Sequence, residues 1–247
     1  MKLPEILALG KYSPNDLIVS VSESNRKIDP IIERKIDAIW EAKKKEADEN
    51  GKICYNGLSY RLNSLKKVGD KISLDFGIIE YKIREGLKKI PEYFNLPEEF
   101  YGKGCYSMTT VKTSDNHYLM VELSGKSMNK HTIGLLGGIM ETNIEAKTGA
   151  DIFQSLFIEL EEEACIDKSD IEKSYLRSVF LGINTNVCFY FEVGLNISSS
   201  ELQNRFKTKN KDQDIKSLKD FSPDKYMQVL KNHESKNKQF ILEILNI

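Results

Sequence analysis

The chain has 247 residues, 40% of them hydrophobic, with 36 Lys and Arg against 37 Asp and Glu for a net charge of -1. That is the composition of an ordinary globular chain, and the balanced charge gives no reason to expect a nucleic-acid backbone or an anionic membrane as partner. A small-molecule ligand is the expectation that remains.

At the N-terminus, MKLPEILALGKYSPND is a brief apolar run broken by Pro4, Glu5 and Gly10, too short for a secretory leader. No later stretch has the length of a membrane span. Cys54, Cys105, Cys165 and Cys188 are scattered among apolar neighbours without a CxxC pair, which reads as buried free thiols and a cytoplasmic protein. Residues 17–22 read as a strand. Residues 29–47 read as a helix with Asp29 as N-cap, Pro30 at the first helical position and Ile32, Ile36, Ile39 and Trp40 as its buried stripe.

Two runs rich in β-branched and aromatic residues follow, ICYNGLSYRLNSL and KISLDFGIIEY, with the turn-like KKVGD between them. Asn56-Gly57 reads as a hairpin turn, and Arg61 as an arginine placed to pair with a phosphate or with a carboxylate. Residues 91–106, with two prolines and two glycines, read as the connection to a second unit. The division is therefore 1–104 for an N-terminal strand-and-helix unit and 105–247 for a second domain. There, MTTVKTSDNHYLMVELS reads as two strands about a Ser-Asp-Asn turn, and HTIGLLGGIME as a strand running into a glycine turn. Then come helix 151–165, strands in YLRSVFLGI and VCFYFEVGLNI joined through Asn184-Thr185-Asn186, a Lys-rich solvated loop at 205–216, and a helix near Gln239–Leu245.

The chemistry concentrates in residues 137–166, GGIMETNIEAKTGADIFQSLFIELEEEACI. Glu159, Glu162 and Glu163 stand at i, i+3 and i+4, so they share one arc of a helix, while Phe153, Leu156, Phe157, Leu160 and Ala164 take another. Glu161 falls on a third arc, outside the cluster. Clustered carboxylates repel one another and call for a cation, and Mg²⁺ accepts oxygen ligands while keeping waters for a substrate phosphate. An acidic helix face is ordinarily just a solvated one. The Gly137-Gly138 turn at the end of an apolar strand sets this one apart, since glycine admits a ligand or a helix at close range.

The arrangement resembles the Nudix hydrolase signature, a Gly-Gly turn, a loop, and a helix reading Arg-Glu-apolar-x-Glu-Glu-x-Gly-apolar. On Ile158 to Ile166 the metal-binding glutamates map onto Glu159, Glu162 and Glu163. The family arginine is Ile158 and the family glycine is Cys165. The loop is longer than usual, with Glu141 and Glu145 as candidates for its glutamate. IDAIWEA with CYNGLSYRLNSL, the LGGIME turn, the arginine-free helix and SVFLGI are similar to the branch that includes the mammalian UDP-glucose-hydrolysing member.

The resemblance implies an α+β fold, a Nudix α/β/α sandwich with a mixed sheet between helices and an N-terminal β-rich extension. It also implies Mg²⁺, with Mn²⁺ as the alternative ion, held by Glu159, Glu162 and Glu163. Gly137, Gly138 and Arg61 are the candidate substrate contacts. The implied reaction is cleavage of UDP-glucose or UDP-galactose to UMP and a sugar 1-phosphate, one of the same glutamates or an acid from a later loop serving as base. ADP-ribose or another nucleotide as substrate, and a nucleotide-binding module without catalysis, are the alternatives. Glu192 stays outside the first set. His117, His131 and His233 show no zinc-like spacing with carboxylates, and no nucleophile elbow or paired Cys and His suggests covalent catalysis.

Overall fold

The computed structural model describes residues 4–51, 54–124, 133–210, 215–232 and 241–242. The chain begins with β1 (Glu5–Tyr12), β2 (Leu17–Val21) and α1 (Pro30–Glu49). Asp29 Oδ1 accepts from Ile31 N–H at 2.8 Å and from Ile32 N–H at 3.2 Å, Pro30 occupies the first turn, and Ile32, Ile36 and Trp40 are buried. The hairpin β3 (Leu58–Val68) and β4 (Lys71–Glu80) turns through Gly69-Asp70, and α2 (Tyr81–Leu87) packs on α1.

The remaining elements are β5 (Cys105–Lys112), β6 (Tyr118–Leu123), β7 (Ile133–Gly134), α3 (Gly149–Ala164), β8 (Ile171–Leu181), β9 (Val187–Leu195), α4 (Ser199–Lys209), β10 (Ile215–Phe221) and α5 (Pro223–Asn232). Among the described residues the strands make two sheets. The larger has the order β1-β8-β9-β5-β6-β10 with β7 beside β6, and the smaller the order β2-β4-β3. Both are mixed: β5 runs parallel to β9 and β2 parallel to β4, while the other pairs are antiparallel.

Alternation along β9 divides the larger sheet into two faces. Val187, Phe189, Phe191 and Val193 face a core shared with Phe153, Leu156 and Leu160 of α3, and Phe153 meets Phe191 edge-on with ring centres 5.1 Å apart. Cys188 and Tyr190 face the other way, with Met120, against Tyr226 and Leu230 of α5. The sheet therefore lies between helices, the expected α+β sandwich. The small sheet joins the α3 side, where Phe76 meets Phe189 at 5.8 Å and one core cluster runs from Ile72 and Leu74 to Leu156 and Phe191.

Three expectations change. Residues 5–12 form an edge strand on β8 of the large sheet, although the N-terminal portion from residue 17 builds its own sheet and helices. The Lys-rich stretch is not a loop as far as Lys209: α4 buries Leu202 and Phe206 one turn apart and turns its lysines to solvent, and β10 resumes at Ile215. Asn56-Gly57 is not a hairpin turn. Asn56 Oδ1 accepts from Lys82 N–H at 2.8 Å and Gly57 O from Tyr81 N–H at 2.8 Å, so the pair ties the entry of β3 to the start of α2. Of the expected C-terminal helix, only 241–242 fall within the described residues, and they are helical.

Candidate active site

The glycine turn lies at the seam of the two sheets. β5 pairs with β6 only through Val111 and Lys112, and the rest of that edge is taken by residues 136–140. Thr109 N–H donates to Leu136 O at 2.9 Å, Ser107 N–H to Gly138 O at 2.8 Å and Met140 N–H to Cys105 O at 3.2 Å. On its far side the segment meets β3, where Tyr60 N–H donates to Met140 O at 2.8 Å and Ser59 faces Glu141 across a bridge. Leu136 to Glu141 thus forms an irregular strand that joins the large sheet to the small one.

Gly137 has φ 133°, and a Cβ there would stand 2.4 Å from Ser107 O, so both conformation and close approach demand glycine. Its N–H donates to Glu163 Oε2 at 2.9 Å. At Gly138 the Glu159 carboxylate rests against the bare Cα: a Cβ would come within 2.2 Å of Oε2. The two glycines seat two of the three glutamates.

The helix that carries them starts at Thr148, whose N–H donates to Asp151 Oδ2 at 2.7 Å, half of a capping box. It ends at Cys165, which holds the left-handed conformation (φ 56°, ψ 35°) while Ile166 N–H reaches back to Leu160 O. This is a Schellman-type stop, a position that glycine fills without strain. Arg205 of α4 clamps the same end, donating to Asp167 Oδ2 at 3.0 Å, to both carboxylate oxygens of Asp170 and to Cys165 O.

Glu159 and Glu163 are half-buried and Glu162 is exposed. Glu159 and Glu162 line a cleft of about 330 Å³ with Ile139, Glu141, Asn143, Ile144, Ser155 and Ile158. Ile158 and Glu162 also border a wider neighbouring cleft that includes Glu161, Cys165 and Lys209. Among the described residues no three His, Cys, Asp or Glu side chains stand close enough to cage a metal as placed. Glu159 and Glu163 each rest on their own glycine, Glu159 against Gly138 and Glu163 on the Gly137 N–H. The three glutamates offer only carboxylate oxygens, two of them, Glu159 and Glu162, on the cleft, which fits a hard divalent ion that completes its shell with water and substrate oxygens.

The two candidates for the loop glutamate separate. Glu141 lines the cleft, whereas Glu145 is exposed, pairs with Lys147 at 2.8 Å and borders a different hollow beside Val19 and Val21. Asn143 and Ser155, which sequence reasoning did not single out, also line the cleft, and only the loop's folded path brings them there. Glu192 is excluded from the site, because alternation places it on the α5 face of the sheet, with Arg177 at 3.6 Å. His117 borders a turn next to Asp115, while His131 and His233 lie outside the described residues.

Arg61 does not reach the cleft, a correction to its expected contact with substrate. It is 1% exposed, and its guanidinium donates to Gly102 O at 3.2 Å, Tyr101 O at 3.3 Å, Asn25 Oδ1 at 2.6 Å and Asn63 Oδ1. Burial lowers its pKa to about 10. It braces the joint between β3 and the 101–104 segment.

No protein-family model and no curated protein matches the chain. Solved structures similar to it include a Nudix hydrolase from Nitrosomonas europaea, at 15% identity and a TM-score of 0.39 over 58% of this chain and 88% of that one. The Nudix domain of Shewanella oneidensis NrtR, solved with ADP ribose, aligns at 11% identity and a TM-score of 0.40 over 61% and 91%. A Nudix-family hydrolase from Clostridium perfringens aligns at 16% identity and a TM-score of 0.34 over 59% and 97%.

Proposed function

We propose that this chain is a divalent-metal-dependent hydrolase of the Nudix type, cutting the pyrophosphate of a nucleoside diphosphate joined to a second group. UDP-glucose and UDP-galactose are its leading substrates, with UMP and a sugar 1-phosphate as products. One observation carries the reading: Gly137 and Gly138 seat Glu163 and Glu159, while Glu159, Glu162 and Glu141 open on one cleft. The resemblance of residues 137–166 to the Nudix signature supplies the chemistry expected of that arrangement.

Carboxylates on one cleft repel a pyrophosphate, so the anion needs a cation between itself and the helix. Mg²⁺ or Mn²⁺ held by Glu159, Glu162 and Glu163 would polarise a phosphoryl oxygen and lower the pKa of a bound water. The Gly137 N–H holds the Glu163 carboxylate against the glycine turn. Glu141 comes from the loop rather than the helix and stands at the cleft as the candidate to take the proton of the attacking water.

Glu163→Gln tests this, because the amide oxygen can still accept from Gly137 N–H while the charge is gone. Mg²⁺-dependent release of UMP from UDP-glucose should fall by about 100-fold or more; unchanged turnover sinks the assignment. UDP-galactose, GDP-sugars and ADP-ribose complete the screen.

Ile158 favours a second reading, nucleotide binding without hydrolysis. It borders the cleft where the resemblance expects an arginine, and it brings no charge to orient a carboxylate. A calorimetric Mg²⁺ titration separates the two: metal uptake supports the hydrolase, and nucleotide binding without metal uptake supports the module.

A further inference from the structure

Beside the glutamate cleft, and sharing Ile139 and Glu141 with it as walls, lies a groove lined by Tyr55, Gly57, Leu58, Ser59 and Tyr81. Tyr55 is 77% exposed and Leu58 48%, large apolar surface left in water at the mouth of a candidate active site. The groove is held in shape. Asn56 and Gly57 bond to the start of α2, while Thr142 N–H donates to Leu58 O at 3.3 Å, so the entry of β3 is tied to α2 on one side and to the segment after the glycine turn on the other. Tyr55 folds back over Gly57, where a Cβ would come within 3.0 Å of its Cε1. The Tyr81 ring is already engaged, edge-on to Trp40 at 6.1 Å and with Lys43 Nζ 4.8 Å from its centre. Tyr55 is the ring with a face to offer.

From this we infer that the groove is the base subsite: the nucleobase of the substrate stacks on Tyr55 while its pyrophosphate lies at Glu159 and Glu162. This deepens the hydrolase reading and rests on it for where the pyrophosphate sits. The lining excludes the other parts of such a substrate. It includes no Lys, Arg or His and one carboxylate, Glu141, so a phosphate gains nothing there. A hexose needs many polar partners, yet of the lining side chains Ser59 is buried and already bonded to Arg84. A flat, largely apolar ring with edge N–H groups suits two phenols, a leucine, an isoleucine and one carboxylate acceptor. The N-terminal portion thereby selects the nucleotide, and the α3 helix performs the cut.

The test is calorimetric titration of the full chain with UMP, AMP and glucose 1-phosphate, in the wild type and in Tyr55→Ala and Tyr55→Phe. Stacking predicts that Tyr55→Ala weakens mononucleotide binding about tenfold, that Tyr55→Phe stays near the wild type, and that glucose 1-phosphate is indifferent to both. Equal mononucleotide affinity in Tyr55→Ala overturns the inference, as does a loss that falls on glucose 1-phosphate, or a wild type that binds no mononucleotide. The two readings fail separately. Tyr55-dependent binding without hydrolysis overturns the hydrolase and keeps the subsite, whereas hydrolysis abolished by Glu163→Gln but untouched by Tyr55→Ala does the reverse.

Discussion

Gly137 and Glu163 are joined by one hydrogen bond, N–H to Oε2 at 2.9 Å, spanning 26 residues of sequence. It fixes the last glutamate of α3 against the segment that bridges the two sheets, and it is available because Gly137 alone can hold φ 133° beside the Ser107 carbonyl.

The two glycines should respond to alanine in opposite ways. At Gly137 the new Cβ meets backbone and the conformation is one that L residues avoid, so Gly137→Ala should lose about 2 kcal/mol or more of stability. At Gly138 the atoms nearest the new Cβ are the flexible end of Glu159, which can swing away. Gly138→Ala should therefore keep its stability within about 1 kcal/mol, yet lose at least about tenfold in turnover as the carboxylate is displaced. Urea denaturation and steady-state kinetics on both variants check this; equal behaviour would show that the glycines do not seat the glutamates.

Cys165 ends α3 in the left-handed region, where a Cβ costs about 1–2 kcal/mol. Replacing it tests that strain without altering a charge. Cys165→Gly should be more stable than Cys165→Ala by about 1 kcal/mol, the reverse of the usual order in helices. Thermal unfolding of the pair decides it.

Glu122 is held by Lys216, Lys219 and Ser217, and these bonds pull its pKa from the ordinary 4.5 to about 2. A carboxylate with a depressed folded pKa adds stability that is fully present above about pH 4.5 and is lost as the pH falls toward 2. Acid titration of stability should therefore be shallower over that window in Glu122→Gln than in the wild type. Identical slopes would contradict the pairing of β6 with β10 through this charge.

The sequence showed plainly what short-range rules govern. Asp29-Pro30 marked the start of α1, the spacing of Phe153, Leu156 and Leu160 marked the buried side of α3, and the i, i+3, i+4 glutamates fell on one arc because helical geometry is local. Three features were out of its reach. In β1 only Ala8 and Tyr12 are buried, and its partner β8 lies far along the chain, so Ile6 and Leu9 hid the alternation. Glu141 and Glu145 were indistinguishable until the bridge of Ser59 to Glu141 fixed how the loop runs past β3. Arg61 stood out as an arginine in an apolar strand, but its acceptors come from Asn25, Asn63 and the carbonyls of 101–102, which no spacing rule links.

The central claim is that Glu159, Glu162 and Glu163 serve metal-dependent cleavage of a pyrophosphate. Phosphorus NMR of UDP-glucose incubated with the full chain, with Mg²⁺ and with excess chelator, tests it most directly. The account predicts that the two coupled diphosphate signals give way to separate UMP and glucose 1-phosphate signals only when Mg²⁺ is present, and that Glu162→Gln slows this by about 100-fold. Cleavage undiminished by chelator or by Glu162→Gln would contradict it, as would intact diphosphate signals across every nucleoside diphosphate sugar and ADP-ribose tried.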